Sequence, residues 1–201
     1  LCRGMRCGYV RMGSAARDEA EHLVQSNDRE MVESVIDYLV EIGHRRIGII
    51  EGPAGFRSAA ERREGFLAAM KRHGLEVPES ASAQGSYRFN SGIEAATRLL
   101  AGESQITAIF ASNDEMAAGA YHAARERGLK VPEQLSIVGF DNSPIAAHIW
   151  PPMTTVGWPI REMAKSAALK LIDPGCEGAL PSNFPARLVT RDSVAPPPEG
   201  S

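Results

Sequence analysis

The amino-acid sequence predicts an α/β protein in which Rossmann-like parallel sheets are flanked by helices. Three observations support this class. Amphipathic helical segments alternate along the chain with short apolar runs. A glycine follows each of four helical segments, as at a helix C-terminus. The sequence GLEVPE at residues 74–79 recurs as GLKVPE at residues 128–133, which indicates two βα units of similar build.

The first helical segment and the strand after it set the pattern. Residues 29–42 place apolar side chains on one helical face, and Gly43 supplies the stop. Asn27 and Glu30 have the spacing of a capping box at the start of this helix. Residues 47–50 then form a short apolar run, typical of a strand buried on both faces of a parallel sheet. The apolar face of the helix comprises Met31, Val32, Val35, Ile36, Leu39 and Val40.

The next two helices repeat this arrangement. Ser58 with Glu61 predicts the start of one helix, and Ser91 with Glu94 predicts the start of the other. A strand is expected between them, near residues 82–86. The predicted buried face of the first helix comprises Phe66, Leu67 and Met70, and the helix ends at Gly74. That of the second comprises Ile93, Ala96, Thr97 and Leu100, and the helix ends at Gly102.

The C-terminal half continues the alternation. Strands are predicted over residues 106–111 and 135–140, and the helix between them begins at Asp114 and ends at Gly128. A last helix over residues 160–172 follows a proline, which suits the first turn of a helix. Residues 195–201 form a Pro-rich tail that we expect to be frayed.

Composition argues against several classes of function. The 201 residues carry 22 Lys and Arg against 25 Asp and Glu, a formal net charge of −3, so the chain is not one that coats nucleic acid. It has no apolar run near the roughly 20 residues of a membrane span and no signal peptide. The three cysteines, Cys2, Cys7 and Cys176, are too scattered for a disulfide framework. We therefore expect a cytoplasmic protein, and the start at Leu1 suggests an incomplete chain.

Catalytic and cofactor motifs are missing from the sequence. It contains no Gly-x-Ser-x-Gly, His-Glu-x-x-His, phosphate-binding-loop or Gly-x-Gly-x-x-Gly motif. Its five histidines fall in separate segments without the spacing of metal ligands. We expect no enzymatic activity, no cofactor and no metal.

Polar and aromatic side chains follow the predicted strands at their carboxyl ends, where open α/β sheets bind ligands. This set suits a polyhydroxylated ligand, because carboxylates, amides and arginine bind hydroxyls while aromatic faces cover apolar surface. Each also has a structural alternative: Arg62 in a solvated helix face, Asn113 as a cap, Asp141 as a turn residue. The set comprises Glu51, Phe56, Ser58, Arg62, Tyr87, Ser112, Asn113, Asp114, Asp141 and Asn142.

Five motifs in series resemble the effector domain of LacI/GalR-type bacterial transcriptional regulators, and together they cover residues 25–192. The motifs are GHRRIGII at residues 43–50 followed by Gly-Pro at 52–53, RxxGFxxAM at 62–70, FASNDEMA at 110–117, VPEQLSIVGFDN at 131–142 and PMTTV at 152–156. A series in this order is far more specific than any one of its members.

The resemblance implies a type I periplasmic-binding-protein-like fold, with two Rossmann-like lobes, three chain crossings and a small effector in the cleft between the lobes. The first lobe is expected to be incomplete. On this basis residues 1–45 are a remnant of the N-terminal lobe and 46–153 the C-terminal effector-binding lobe. Residues 154–172 return to the N-terminal lobe, and residues 173–201 form the final C-lobe segment and the Pro-rich tail.

The resemblance also implies effector contacts at particular residues. Arg62 matches the arginine that hydrogen-bonds the effector, and Ser58 falls on a nearby contact position. Tyr87 falls where the family usually has an aromatic stacking residue. Asn113 and Asp141 match the cleft amide and carboxylate that hold sugar hydroxyls or base atoms.

Two departures from the family pattern matter. Trp158 occupies a pocket position that is often polar in the family; it either adds a second stacking face or packs at a lobe crossover. The helix-turn-helix and hinge helix that bind operator DNA are absent from this sequence. We therefore expect that the chain by itself binds no operator DNA.

These features predict the effector-sensing and dimerisation portion of a LacI/GalR-like regulator, with a sugar or sugar derivative as effector. A homodimer is expected through residues 88–101, 114–127 and 146–150, with DNA contacted only by the missing headpiece. One alternative is a periplasmic sugar-binding protein of a transport system, which shares the fold. Another is an α/β enzyme that uses Asp141 or Asp114 as a base, although no nucleophile or metal partner is evident.

Overall fold

The computed structural model describes residues 8–12, 23–102, 105–172 and 181–199. Helices and strands alternate within these ranges, as the sequence predicts. The strands are β1 (Arg11–Met12), β2 (Leu23–Val24), β3 (Ile47–Glu51), β4 (Ser82–Gln84), β5 (Ala108–Ala111), β6 (Ser136–Asp141), β7 (Thr154–Gly157) and β8 (Arg187–Val189). The helices are α1 (Asp28–Glu41), α2 (Arg57–Arg72), α3 (Phe89–Ala101), α4 (Asp114–Glu126), α5 (Pro144–His148) and α6 (Ile160–Ile172).

Six strands form the larger sheet, in the order β4-β3-β5-β6-β7-β8. The first five are parallel, and β8 joins the edge antiparallel to β7. Strand β3 lies between β4 and β5, so the connections that leave its two sides run in opposite directions along the sheet. Such a point opens a crevice beyond the carboxyl ends of the strands.

Helices cover both faces of this sheet. On one face α1 and α2 pack together over a core that includes Leu39, Phe66 and Phe110. On the other face α3 and α4 pack over a second core that includes Leu99 and Met116. The α/β class with parallel strands between helical layers is therefore confirmed.

Helices α3 and α4 touch through their backbones. A Cβ at Gly92 would collide with the backbone of Met116, and a Cβ at Gly119 would collide with the carbonyl of Phe89. Glycine is thus needed on both helices because of this close approach. The contact makes α3 and α4 one packed unit with little room between the helix axes.

A smaller sheet consists of β1 and β2, which pair in parallel. Helix α6 packs on this pair, and Val24, Met163 and Ala167 form the buried centre of the cluster. Residues 25 and 183 form a parallel bridge beside it. Trp158 packs against this cluster and also against the α1–α2 side of the larger sheet, so it joins the two cores.

The structure divides the chain differently from the expected lobes at two places. Helix α1, expected in the N-terminal remnant 1–45, packs on the larger sheet, because its apolar face meets α2 and the buried Phe110. Strand β7, expected in the returning segment 154–172, pairs with β6 and β8 of the larger sheet. The chain leaves the larger sheet after Gly157, and α6 is the part of that segment that joins the smaller sheet.

Helix starts also differ in part from the prediction. The side chains of Asn27, Ser58 and Ser91 cap no helix. Asn27 accepts a hydrogen bond from the distant Ala186 N–H, and α2 begins at Arg57, so that Ser58 lies inside its first turn. Asn113 is the exception, because its side chain accepts a hydrogen bond from Met116 N–H at 3.0 Å.

The segment before the Pro-rich end is anchored. Ser193 is fully buried, and its hydroxyl donates to the Ile137 carbonyl at 2.6 Å. The Ala195 carbonyl accepts hydrogen bonds from His44 and Ser136. The expectation of a frayed tail from residue 195 is therefore wrong at its first residue, because polar groups at the start of the sheet hold it. Within the described part of the chain, no helix is long and apolar enough to cross a membrane, and the three cysteines lie outside that part.

Candidate functional site

Arg62 lies at the carboxyl ends of β5 and β6, beside the start of α1. It projects from α2 and is 3% exposed. Its Nε donates to Asp28 Oδ2 at 2.9 Å, and its Nη1 donates to the Ser112 carbonyl at the end of β5. Its Nη2 lies 3.7 Å from Asp141 Oδ1 at the end of β6. The solvated alternative for Arg62 is therefore excluded, and its guanidinium links the start of α1 to the ends of β5 and β6.

Two aromatic rings flank the guanidinium of Arg62. Its Cζ lies 3.7 Å from the ring centroid of Phe140 and 5.4 Å from that of Trp158. The two rings meet edge to face, with centroids 6.1 Å apart. Cations are attracted to aromatic faces, and the attraction strengthens when water is excluded. The rings therefore fix the guanidinium in addition to its carboxylate partners.

Asp28 is a site residue that the sequence analysis missed. It is the first residue of α1, is fully buried, and accepts hydrogen bonds from Ser26 Oγ and Arg62 Nε. A buried charge requires a partner of opposite charge or several hydrogen bonds. The available signal was a carboxylate on the same helical face as Val32 and Val35, where apolar residues are expected.

Ser58, Tyr87 and Asn113 form a connected group beside Arg62. The hydroxyl oxygens of Ser58 and Tyr87 are 3.3 Å apart. The amide of Asn113 donates to the Tyr87 carbonyl at 3.3 Å, while its oxygen caps α4. Tyr87 has a left-handed backbone (φ 61°), and its ring covers Gly52, where any Cβ would collide with it. The cap and binding interpretations of Asn113 are thus compatible, because the helix cap uses only the side-chain oxygen. The side-chain NH2 group points to Tyr87 and has a second hydrogen to donate.

Asp141 ends β6 with a strained backbone, at φ 117°, and Asn142 follows at φ 52°. The Asp141 side chain is 40% exposed. Partial withdrawal from water raises the pKa of Asp141 to about 7, against the opposing effect of Arg62; the charges of Asp114 and Asp28 raise it further. The interpretation of Asp141 as only a turn residue does not account for its position beside a buried guanidinium.

Trp158 lies at the crossing from the larger to the smaller sheet. It is partly buried, and its indole N–H is buried without a hydrogen-bond partner among the described residues. Its ring packs against clusters on both sheets. The crossover alternative therefore describes the packing of Trp158. Trp158 also lines one cavity with Asp141, and its N–H remains unpartnered among the described residues.

A cavity of about 590 Å³ opens beside Asp141 and Trp158. Ligand pockets for small molecules are typically about 300–1,000 Å³, so its size suits one sugar. Two of the six candidate residues line it, whereas Ser58, Arg62, Tyr87 and Asn113 lie outside its lining. Its other lining residues are Asn142, Gly157, Pro159, Ile160, Arg161, Glu162, Pro185 and Arg187.

A second cavity, of about 930 Å³, is a groove formed by α4, the start of α3 and the loops that follow α4 and α5. Phe89 and His122 meet edge to face in it, and Trp150 at its rim is 86% exposed. Arg125, Lys130, Glu133 and Asp192 supply charges of both signs. The groove coincides with the segments expected to form a homodimer, and we call it the α3–α4 groove.

Among the described residues, no group of three or more His, Cys, Asp and Glu side chains could hold a metal ion. The chemistry that the crevice offers is hydrogen bonding from a guanidinium, an amide and hydroxyls, together with a carboxylate acceptor and aromatic faces.

Comparison with known proteins identifies the family. The model of the periplasmic binding protein-like domain matches residues 36–194. The probable HTH-type transcriptional repressor ExuR of Bacillus subtilis (strain 168) is 39% identical over 149 residues, 74% of this chain and 45% of that protein. The ribose operon repressor of Escherichia coli (strain K12) is 36% identical over 163 residues, 81% of this chain and 49% of that protein. The chain thus spans about half the length of these relatives.

A solved structure agrees with this result. The sugar-binding transcriptional regulator of the LacI family from Escherichia coli, complexed with phosphate, matches with a TM-score of 0.85 and 31% identity over 94% of this chain and 68% of that one. The relatives are transcriptional repressors, which favours the regulator over a binding protein of a transport system. The chain therefore belongs to the LacI family of transcriptional regulators and carries its periplasmic binding protein-like, effector-binding domain.

Proposed function

We propose that this domain binds a sugar or sugar derivative in the crevice around Arg62 and the adjoining 590 Å³ cavity. The observation that carries the proposal is the buried guanidinium of Arg62, held between Asp28 and Asp141 at the carboxyl edge of the sheet. The cavity lining carries charges of both signs, Asp141 and Glu162 beside Arg161 and Arg187, so it offers partners both to sugar hydroxyls and to an acidic sugar derivative. The names of relatives support the same class, since one is a ribose operon repressor and one a sugar-binding regulator.

Each candidate residue has a distinct role in this proposal. Asp141 accepts hydrogen bonds from sugar hydroxyls, and Arg62 and Asn113 donate to ring or hydroxyl oxygens. Ser58 supplies a further hydroxyl beside Tyr87. Tyr87 and Trp158 cover the C–H faces of the ring. Together these groups would surround one small polyhydroxylated molecule.

The binding test uses the 201-residue chain with D-ribose, D-glucose and D-glucuronate as probes. We expect one of these three sugars to raise the melting temperature and to give a calorimetric binding signal. Arg62→Ala and Asp141→Ala should each abolish that response, whereas Glu94→Ala, an exposed carboxylate on α3, should leave it intact. An unchanged sugar-induced shift in both site variants would refute the site.

We propose further that effector binding controls operator DNA through a helix-turn-helix headpiece that is not in this sequence. The effector can shift the regulator only by its difference in affinity for the two conformational states. The regulator would act in the cytoplasm, where operator DNA is. The chain alone should not retain specific duplexes from a random-sequence library in a mobility-shift assay at low salt, and sequence-specific retention would contradict this.

The homodimer is proposed to form through the α3–α4 groove with a second copy of the chain. An exposed tryptophan beside apolar and aromatic groups is typical of the centre of a protein interface, and Trp150 meets this description. Sedimentation velocity should show a dimer that Trp150→Ala weakens by about tenfold or more, which is the size of a typical interface anchor. Ile172→Ala, which removes a 79% exposed apolar side chain of α6 outside the groove, is the control. A monomer at every concentration would overturn this assignment.

A further inference from the structure

The turn after β6 has an unfavourable backbone. Asp141 and Asn142 both have positive φ angles, 117° and 52°. Non-glycine residues in such conformations cost about 1–3 kcal/mol each and persist only where the surrounding structure holds them. The turn carries the carboxylate of the candidate site, so whatever holds the turn also sets the position of that carboxylate.

Asp114, at the start of α4, holds this turn in place through hydrogen bonds. It is 1% exposed. Its Oδ2 accepts hydrogen bonds from the backbone N–H of Ser143 at 2.6 Å and from its hydroxyl at 3.0 Å. Its Oδ1 accepts from the hydroxyl of Thr155 at 2.5 Å. Thr155 Oγ1 in turn accepts from the backbone N–H of Asn142 at 3.3 Å. Two consecutive backbone amides of the turn are thus tied, directly or through Thr155, to one buried carboxylate.

The surrounding chain is built to admit this carboxylate. A Cβ at Gly139 in β6 would collide with Asp114 Oδ1, so only glycine leaves room there. A second contact also holds the turn, because Arg191 Nη2 donates to Asn142 Oδ1 at 2.7 Å. The carboxylate therefore lies against the strand that leads directly into the turn.

Helix formation alone does not account for a buried Asp114. The N-cap is already supplied by Asn113. The neighbouring Glu115 places a negative charge in the same first turn from an exposed position, where it suffices to interact with the helix dipole. Burial of a carboxylate is unfavourable without compensating hydrogen bonds, and those bonds come from the turn and from Thr155.

We infer that Asp114 is a positioning residue for the candidate effector site, which fixes the turn at residues 141–143 and thereby holds the Asp141 carboxylate beside Arg62. Asp114 itself does not line the cavity. Its effect on ligand affinity rests on the proposed function, whereas its effect on the turn does not. Loss of the hydrogen bonds should free the turn, so that Asp141 would lose its fixed position before a ligand arrives.

The first experiment needs no ligand. Amide hydrogen exchange at Asn142 and Ser143 is measured by NMR in the 201-residue chain and in the variants Asp114→Asn, Thr155→Val and Thr155→Ser. Exchange at both amides should accelerate at least about tenfold in Asp114→Asn, and at Asn142 in Thr155→Val, because each loses a charged or hydroxyl acceptor. Thr155→Ser keeps the hydroxyl and should restore protection.

The matched control is Glu115→Ala, which removes the adjacent carboxylate from the same helical turn without touching residues 141–143. It should leave both amides protected. Unchanged exchange in Asp114→Asn and Thr155→Val would overturn the inference. So would a uniform acceleration across β6 and α4, because that would mean a general loss of stability. Thr155→Val, which keeps side-chain volume, decides the matter if Asp114→Asn does not fold.

The second experiment titrates the same variants by calorimetry with whichever of D-ribose, D-glucose and D-glucuronate the parent chain binds. Asp114→Asn should weaken binding at least about tenfold, a loss of about 1.4 kcal/mol, while Glu115→Ala binds as the parent chain does. Unchanged affinity in Asp114→Asn would overturn the positioning role. If the parent chain binds none of the three probe sugars, the proposed function fails, and the exchange experiment still decides whether Asp114 holds the turn.

Discussion

His44 Nε2 donates a hydrogen bond to the Ala195 carbonyl at 2.9 Å, across 151 positions of sequence. A carbonyl can only accept, so Nε2 carries the hydrogen in the neutral ring. Nδ1 then accepts from the hydroxyl of Thr107 at 2.9 Å. The histidine is 1% exposed, and the network joins the loop after α1 to Thr107, just before β5, and to the C-terminal segment. A neutral imidazole is therefore part of the fold.

This arrangement predicts a loss of stability in acid. Burial lowers the pKa of His44 below its usual 6.5, against the raising effect of Ala195. As the pH falls below 6.5, the unfolded chain takes up the proton before the folded one, so the free energy of unfolding decreases. Urea unfolding from pH 8 to about pH 5 should show this decrease, and His44→Gln should flatten it. His148→Gln, an exposed histidine, should keep the parental slope; equal slopes in all three proteins would contradict the prediction.

The buried ion pair of Asp28 and Arg62 should contribute far more to the free energy of unfolding than an exposed ion pair does. Asp28→Asn leaves the buried guanidinium without its nearest charged partner, which typically costs 3–5 kcal/mol, so we expect a loss of about 3 kcal/mol. Asp37→Asn removes an exposed partner of Arg72 and should cost less than about 1 kcal/mol. Both values come from equilibrium urea unfolding. Equal losses would show that the Arg62 pair is not desolvated as described.

The pH dependence of Asp141 has the opposite sign to that of His44. Its pKa is raised to about 7, so between about pH 4 and pH 7 the folded chain holds a proton that the unfolded chain has lost. Stability therefore falls as the pH rises through this window. Asp141→Asn should remove a decrease on the order of 1 kcal/mol, a figure kept small because the side chain is 40% exposed. A parallel pH profile in the variant would refute this.

The contact of α3 with α4 predicts that Gly92→Ala destabilises the protein. Alanine favours a helix by about 1 kcal/mol over glycine, but its Cβ would meet the backbone of Met116. Because backbone cannot move aside as a side chain can, overpacking should outweigh this gain and leave a net loss of about 2 kcal/mol. Asn90→Ala, exposed on the same helix, should change stability by less than about 0.5 kcal/mol. The melting temperatures of both variants test this prediction, and a Gly92→Ala variant as stable as the parent chain would contradict it.

The sequence predicts long, periodic elements well. Helix α6 matches the predicted residues 160–172, because a whole apolar face is visible in that segment. Strands β7 and β8 were not assigned, since they have only four and three residues and are stabilised by pairing with distant neighbours. The prediction of capping boxes at Ser58 and Ser91 was wrong, because each hydroxyl has another partner. The Ser58 hydroxyl contacts that of Tyr87, and the Ser91 hydroxyl donates to the Arg88 carbonyl.

The members of the candidate site were predicted from residue types at strand ends. The contacts between those members were not predicted. Arg62 and Asp141 are neighbours in the structure, as their shared edge of the sheet implies. Asp28 could not be paired with Arg62 from sequence, because the two are 34 positions apart and the pairing depends on how α1 packs against α2. Position along the chain indicates which edge a residue occupies, while the partner of a buried charge depends on packing between helices.

The anchored segment at residues 193–195 has a consequence for how the protein is made. Chains emerge from the ribosome at about 5–20 residues per second, and N-terminal parts fold first. The strands β6 and β7 are complete long before Ser193, whose hydroxyl accepts a hydrogen bond from the amide of Thr154 and donates one to the carbonyl of Ile137. During synthesis the start of the sheet therefore forms before these two hydrogen bonds to Ser193 can be made. A premature stop that removes residues 193–195 would harm folding far more than loss of the residues from Pro198 onward, because Pro198 and Glu199 are exposed.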